Sequence, residues 1–256
     1  MSEQTDHRTT IRQIAHHATL ARRQDLLAFW VQQHGWVVQS GPFSGMRLSD
    51  RTSWSDGDLL PKLIGCYEAE LHVILADIAA TPPDLVVNVG AAEGYYAIGL
   101  ARLFPDCCVH AFDTSLASQD VCRLAAGLNE VGRRVFVGGR CTPDLLETIL
   151  PHGRAPFLVC DCEGYERQLI DPQRVPALRS TTIVVECHDF IDPNITRTLV
   201  DRLAATHTLS TIQESARDPN TAPFLRGFGS LDRWLAVCEY RPAMMNWLVA
   251  RPNLAT

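Results

Sequence analysis

The sequence predicts an α/β protein built on a doubly wound parallel sheet, and three observations carry the prediction. From Asp84 onward, apolar runs of four to eight residues alternate with segments of helical spacing, as strands buried on both faces and their connecting helices require. The first run, Leu85-Val86-Val87-Asn88-Val89, passes directly into a glycine-bearing loop and then into an apolar helical stretch. The second run ends in an acidic residue, Asp113, about twenty residues beyond that loop.

Strands are predicted at 85–89, 107–112, 134–137, 157–160 and 183–187, with helices at 95–103, 115–129, 143–150 and 165–170. A helix at 194–205, a strand at 209–213, a helix at 231–238 and a closing strand at 247–250 bring the sheet to seven strands. The front of the chain reads differently. Ile11, Ile14, Leu20, Leu26, Leu27, Trp30 and Val31 recur at helical spacing, which predicts one or two amphipathic helices over 9–33. Val37 and Val38 form a short β stretch before the turn Ser40-Gly41-Pro42, and a further helix is predicted over 62–80 behind Pro61. The chain thus divides into a helical N-terminal extension, 1–80, suited to a lid or a dimer segment, and a ligand-binding domain, 81–256. Trp36, Phe43, Met46 and Trp54 read as the extension's own core, and His16 and His17 as a solvated face.

Composition narrows the function. At 256 residues, 46% hydrophobic and 20% charged, the chain can bury one large core, which excludes wholesale disorder. No apolar run approaches the roughly 18 to 20 residues of a membrane span. Glu3, Asp6, His7, Arg8, Arg12, His16 and His17 leave no secretory apolar stretch near the amino terminus, so the cytoplasm is the expected location. A formal charge of −6 disfavours a nucleic-acid partner. The nine cysteines, among them Cys107, Cys108, Cys160 and Cys187, lie mostly in apolar runs and are expected to be reduced. Lys62 is the only lysine, and no GxxxxGK[ST] loop is present, so kinase and pyridoxal chemistry are disfavoured.

The loop Val89-Gly90-Ala91-Ala92-Glu93-Gly94-Tyr95-Tyr96 stands at a strand-to-helix turn, where Gly90 and Gly94 let backbone approach a ligand closely. Asp113, at the end of the next strand, can accept both hydroxyls of an adenosine ribose. The spacing is not GxGxxG, since Ala92 holds the place of the second glycine and Tyr95 that of the third. An adenosine ligand without a pyrophosphate fits better than a dinucleotide.

With Phe112-Asp113, Asp161-Cys162-Glu163-Gly164-Tyr165-Glu166 and Ile183-Val184-Val185-Glu186-Cys187-His188, the sequence resembles class I S-adenosylmethionine-dependent methyltransferases, and more narrowly the FkbM-type family with its D-x-E-G-x-E signature. The resemblance implies a Rossmann-like seven-stranded sheet whose last strand is antiparallel, with the methyl donor across the carboxyl ends of the first four strands. It implies donor contacts from Asn88, Gly90, Ala92, Glu93, Gly94, Tyr95, Asp113, Arg140 and Asp161. Asn88 departs from the acid that many class I enzymes carry at that place.

Asp161, Glu163 and Glu166 follow the fourth strand, and Glu186, His188 and Asp189 the fifth, its neighbour in such a sheet. Strand alternation sends Glu186 and His188 to one face, where they can converge with Asp161. Two chemistries stay open. Asp161, His188 or Glu163 can act as a base, or Asp161, Glu186 and His188 can hold a divalent metal such as Mg²⁺. Glu163 and Glu166 also suit the first turn of a helix. Cys160 and Cys162 point away from Asp161, which argues against thiol catalysis. Glu68 and His72, four apart on the predicted 62–80 helix, can pair with each other or reach a ligand together, beside Tyr67. The reading is a methyltransferase acting on a hydroxyl of a small-molecule, natural-product or sugar acceptor, with a homodimer as one arrangement. Its rivals are a non-catalytic S-adenosylmethionine-binding protein and an enzyme that uses another part of that molecule.

Overall fold

Strands buried on both faces need apolar side chains at consecutive positions, and the runs read above supply them. In the computed structural model, which describes residues 2–51 and 58–253, five strands pair in parallel: β1 (Leu85–Val89), β2 (Cys108–Phe112), β3 (Val135–Gly138), β4 (Pro156–Cys160) and β5 (Thr182–Cys187). Two more, β6 (His207–Gln213) and β7 (Asn246–Pro252), complete a seven-stranded sheet of order β3-β2-β1-β4-β5-β7-β6. The last strand in the chain, β7, runs antiparallel to both of its neighbours, as the resemblance implies.

Alternation divides the apolar side chains between two layers. Val86, Phe157, Val159, Val184, Trp247 and Val249 face one layer; Leu85, Val87, Leu158, Ile183, Val185 and Leu248 face the other. The first layer is covered by α1 (Ser2–His34), α2 (Leu59–Ile64), α3 (His72–Ala79), α4 (Tyr95–Leu103), α5 (Leu116–Leu128) and α9 (Ser230–Val237). The second is covered by α6 (Pro143–Ile149), α7 (Glu166–Leu169) and α8 (Ile195–Leu203). Local chemistry fixes helix starts: Ser115 Oγ accepts from the Ser118 amide, and Thr142 Oγ1 from that of Leu145, behind which Pro143 opens α6. Strand order reverses between β1 and β4, which opens a crevice at their carboxyl ends.

The front of the chain departs from its prediction in three ways. Residues 9–33 belong to one helix, α1, whose buried apolar side chains lie in its second half. Leu26 and Trp30 are buried in the first layer, whereas Ile11 and Ile14 are exposed. The helix predicted at 62–80 is broken. Gly65, at φ 88, ends α2 in the left-handed conformation, and only glycine fits there because a side chain would strike the Ser40 carbonyl. Glu68 is left-handed as well, at φ 47, before a 3₁₀ turn at Ala69–Leu71 leads into α3. Glu68 therefore makes no pair with His72; it is buried and bonds Arg241 and Tyr96 instead.

His16 is more than a solvated side chain, since its Nδ1 lies 2.5 Å from the Tyr240 hydroxyl. Phe43 and Met46 are buried among α2 and α4 side chains, while Trp54 lies outside the described residues. All nine cysteines are free thiols; Cys108, placed with the buried ones by its apolar run, is exposed. Among the described residues no helix is long and apolar enough to cross a membrane.

Trp30, 2% exposed, ties α1 to the shared core, so Trp30→Ala should cost about 3 to 5 kcal/mol in denaturant unfolding. Ile14→Ala, at a position 62% exposed, should stay within about 0.5 kcal/mol. Equal effects of the two would show that α1 is not integrated into the fold.

Candidate active site

The crevice at the strand ends is a cleft of about 510 Å³. One wall is the loop after β1. Its form follows from two glycines: Gly90, at φ 80, lies where a Cβ would meet the Asp161 carbonyl oxygen at 1.5 Å, and Gly94, at φ 93, packs against Cys122. The amides of Gly90 and Ala91 both donate to the Phe112 carbonyl at 2.9 Å. Asp113 completes the loop: its Oδ2 accepts from the Ala92 amide at 2.9 Å, and its Oδ1 from the Ser115 amide at 2.8 Å.

Gly90, Ala92, Glu93, Asp113, Arg140 and Asp161 all line the cleft. The Arg140 guanidinium lies 4.7 Å over the Tyr165 ring, which also faces the cleft. Three of the residues read as donor contacts do not line it. Tyr95 is buried among Phe43, Tyr67 and Tyr96, Gly94 serves loop packing, and Asn88 is 1% exposed with no hydrogen-bond partner at its Oδ1.

The opposing acids come together around His188, which is 1% exposed. After β4 the chain turns through Glu163 (φ 54) and Gly164 (φ 97), so Glu166 at the start of α7 folds back. Glu166 Oε1 accepts from the amides of Cys162 and Gly164, each at 3.2 Å, and from His188 Nδ1 at 2.7 Å. A carboxylate only accepts, so this bond places the proton on Nδ1. Nε2 then faces three acids: Asp161 Oδ1 and Glu163 Oε2 at 3.4 Å and Glu186 Oε2 at 3.5 Å. Acceptors face one another there, and a proton or cation must lie between them.

The charges around this point are unequal. Arg241, in the loop before β7, spends its three guanidinium nitrogens on Glu68, Glu186 and Glu239. Burial pushes the Glu186 carboxyl up to about 8, with Asp161 adding to the effect. Burial, with Glu68 and Glu163, takes Asp161 up to about 7. Burial likewise raises Glu68 to about 8 in spite of Arg241. For His188, burial alone would lower the pKa, but the Glu166 hydrogen bond and the carboxylates around it outweigh burial and raise it. The same bond holds Glu166 below the ordinary carboxylate range against the pull of burial.

Two crystal structures share the architecture that frames this cleft. The O-methyltransferase TomG from Streptomyces achromogenes, involved in tomaymycin synthesis and solved in complex with SAM, matches with a TM-score of 0.51 and 16% identity, covering 75% of this chain and 83% of that one. A precorrin-6Y C5,15-methyltransferase from Geobacter metallireducens GS-15 gives 0.51 and 14%, covering 81% and 97%. The chain has a methyltransferase fold. No family model matches it, and no curated protein matches it in sequence.

Within this methyltransferase fold, several cleft residues escaped the sequence reading. Arg241, Glu239 and Tyr240 come from an irregular loop with no periodic signal, and Phe190 and Met245 flank strand ends. The Glu166–His188 bond had one sequence cue, an acid placed to fold back over the turn after β4.

Raised carboxyl groups give a signed stability prediction. Between their ordinary values, 3.8 and 4.5, and their folded values near 7 and 8, Asp161 and Glu186 bind protons in the folded chain that the unfolded chain has released. Stability must therefore fall as pH rises through that window. His188 acts in the same direction, its contribution being full below 6.5 and lost as pH passes its raised folded value. Thermal melts should show the melting temperature declining between about pH 5 and pH 8, with Glu186→Gln flattening the decline. An undiminished slope in that variant would refute the assignment.

Proposed function

We propose that the chain is an S-adenosylmethionine-dependent methyltransferase that transfers the methyl group to a hydroxyl of a small-molecule, natural-product or sugar acceptor. One observation carries the reading. A buried His188–Glu166 pair, with Nε2 ringed by Asp161, Glu163 and Glu186, faces the same cleft as the Gly90 loop and Asp113. The Asp161-Cys162-Glu163-Gly164-Tyr165-Glu166 signature supports an FkbM-type enzyme, and with it an oxygen acceptor. The name of the Streptomyces protein is in keeping with oxygen.

S-adenosylmethionine supplies an electrophilic methyl group. The chain's part is to bind, orient and take a proton. Asp113, fixed by the amides of Ala92 and Ser115, presents an acceptor edge for ribose hydroxyls. His188 Nε2 accepts the acceptor hydroxyl's proton, and Glu166 at Nδ1 holds the ring and stabilises the imidazolium that results. Asp161 and Glu163 orient that hydroxyl. Fixing donor and acceptor in line can supply roughly 7 to 11 kcal/mol, and the base about 10²- to 10⁴-fold in rate. Asp58, Lys62 and Tyr67, from the N-terminal part of the chain, form part of the cleft's wall.

A metal-assisted version has its own support. One donor atom each from Asp161, Glu186 and His188 lie within 4.8 Å of one another, Asp161 Oδ1 has no hydrogen-bond partner, and a histidine whose Nδ1–H is held by a carboxylate is oriented as metal ligands are. This set fits a divalent cation, which would lower the pKa of the acceptor hydroxyl and orient it.

Calorimetric titration with S-adenosylhomocysteine, with and without Mg²⁺, tests the reading: micromolar binding is expected, and its absence withdraws the donor. His188→Ala should leave that binding intact and, with an acceptor found by screening, lower turnover by about 10²- to 10⁴-fold. Intact donor binding with no turnover on any acceptor would favour a binding protein, and methylthioadenosine as by-product an enzyme using another part of the donor.

A further inference from the structure

The turn after β4 carries two thiols that meet. Cys160 closes β4, paired with Val89 of β1 and Val185 of β5, and is buried. Cys162 follows two residues on, is half-buried, and lines the cleft. The two side chains share one side of the chain, as alternate residues at a strand end do, and their Sγ atoms lie 3.4 Å apart. Packing alone does not call for this contact, since both sulfurs lie against the second apolar layer, where leucine, isoleucine and valine fill most other positions. One sulfur shielded by the sheet and its neighbour open to the cleft match the two steps of thiol–disulfide exchange, in which an accessible thiol attacks and a second thiol resolves the mixed disulfide.

We propose that Cys160 and Cys162 are a modification site at which a low-molecular-weight disulfide oxidises the chain to an intramolecular disulfide. Cys162 attacks one sulfur of the oxidant, the oxidant's S–S bond breaks, and the departing half leaves as a thiol with the proton that Cys162 gives up. Cys160 then attacks the Cys162 sulfur and expels the second half in the same way. Two protein thiols are oxidised, and one small disulfide is reduced to two thiols. A covalent S–S bond is about 2 Å long, shorter than the contact between the thiols, so closing it draws the sulfurs together. Cys160 is held between β1 and β5, so Cys162 is the residue that yields. Its amide donates to Glu166 Oε1 at 3.2 Å, the atom that His188 Nδ1 meets at 2.7 Å. Oxidation therefore loosens the hydrogen bond that holds His188, and reduction restores it. An effect on turnover rests on the methyltransferase reading above; the modification itself does not.

The test incubates the reduced full-length chain with hydroxyethyl disulfide, alkylates the remaining thiols under denaturing conditions, and maps them by mass spectrometry after trypsin. The peptide 155–167 contains these two cysteines and no other. It should emerge lighter by two hydrogens and alkylated at neither cysteine, and regain both alkylations when the oxidised chain is first treated with dithiothreitol. Cys162→Ser should leave Cys160 reduced, and Cys160→Ser should stop the reaction at a mixed disulfide on Cys162. The wild-type mapping stands on its own should either variant fail to fold. In the wild-type chain, isotope-labelled in its histidines, the Nδ1–H resonance of His188, identified by its loss in His188→Ala, should shift on oxidation and return on reduction. A peptide 155–167 still alkylated at both cysteines when exposed Cys108 is already modified, or a disulfide from Cys162 to Cys141, which also lines the cleft, would overturn the modification site. A Cys160–Cys162 disulfide that leaves the His188 resonance in place would overturn its link to Glu166. Unchanged turnover beside a shifted resonance would count against the base role of His188 and leave the modification site standing.

Discussion

The approach of Gly90 to the Asp161 carbonyl joins the two halves of the site. No side chain fits between them, and the Asp161 amide closes the contact by donating to the Val89 carbonyl at 2.9 Å. The loop that begins at Gly90 carries Glu93 and is braced by Asp113; the turn that begins at Asp161 carries Glu163 and Glu166, and through Glu166 fixes His188. Both start at adjacent strand ends, where the order of the sheet reverses. The strand pairing thus sets the spacing between a glycine loop and a cluster of titratable groups.

Charge is the second constraint. Among the described residues, Glu68, Asp161, Glu163, Glu166, Glu186 and Glu239 gather around Arg217, Arg241 and His188. Desolvated carboxyls respond by holding their protons, hence the elevated values of Glu68, Asp161 and Glu186. An anionic acceptor would have to compete for Arg241 with three carboxylates, since each nitrogen of its guanidinium already holds one.

Much of this was legible in the sequence, for reasons that can be stated residue by residue. The strands were readable because a parallel sheet demands apolar residues at both parities, and the loop was readable because its glycines stand where no other residue fits. Glu186 and His188 could be placed beside Asp161 from alternation together with the expected adjacency of the fourth and fifth strands. Other features depend on contacts between distant parts of the chain. At the break, Gly65 packs against the Ser40 carbonyl and Glu68 bonds Arg241, about 25 and 173 residues away along the chain, and local periodicity carries no trace of either. Arg241 itself lies in an aperiodic loop. The ion pairs of Lys62 were invisible for the same reason: Asp58 and Lys62 are one helical turn apart, but Glu93 joins them only when α2 packs on the loop after β1.

The N-terminal helix couples to the cleft by a small number of polar contacts. Arg22 grips Asp232, Arg23 donates to the Cys238 carbonyl and lies over the Tyr240 ring, and His16 meets the hydroxyl of that same tyrosine, which lines the cleft. With 33 residues, α1 is a rod of about 50 Å, held in the core at Leu26 and Trp30 and free of packing at Ile11 and Ile14. Through His16 a helix seated in the core at its far end is bonded to a residue of the cleft wall, so the setting of that wall is tied to the docking of α1.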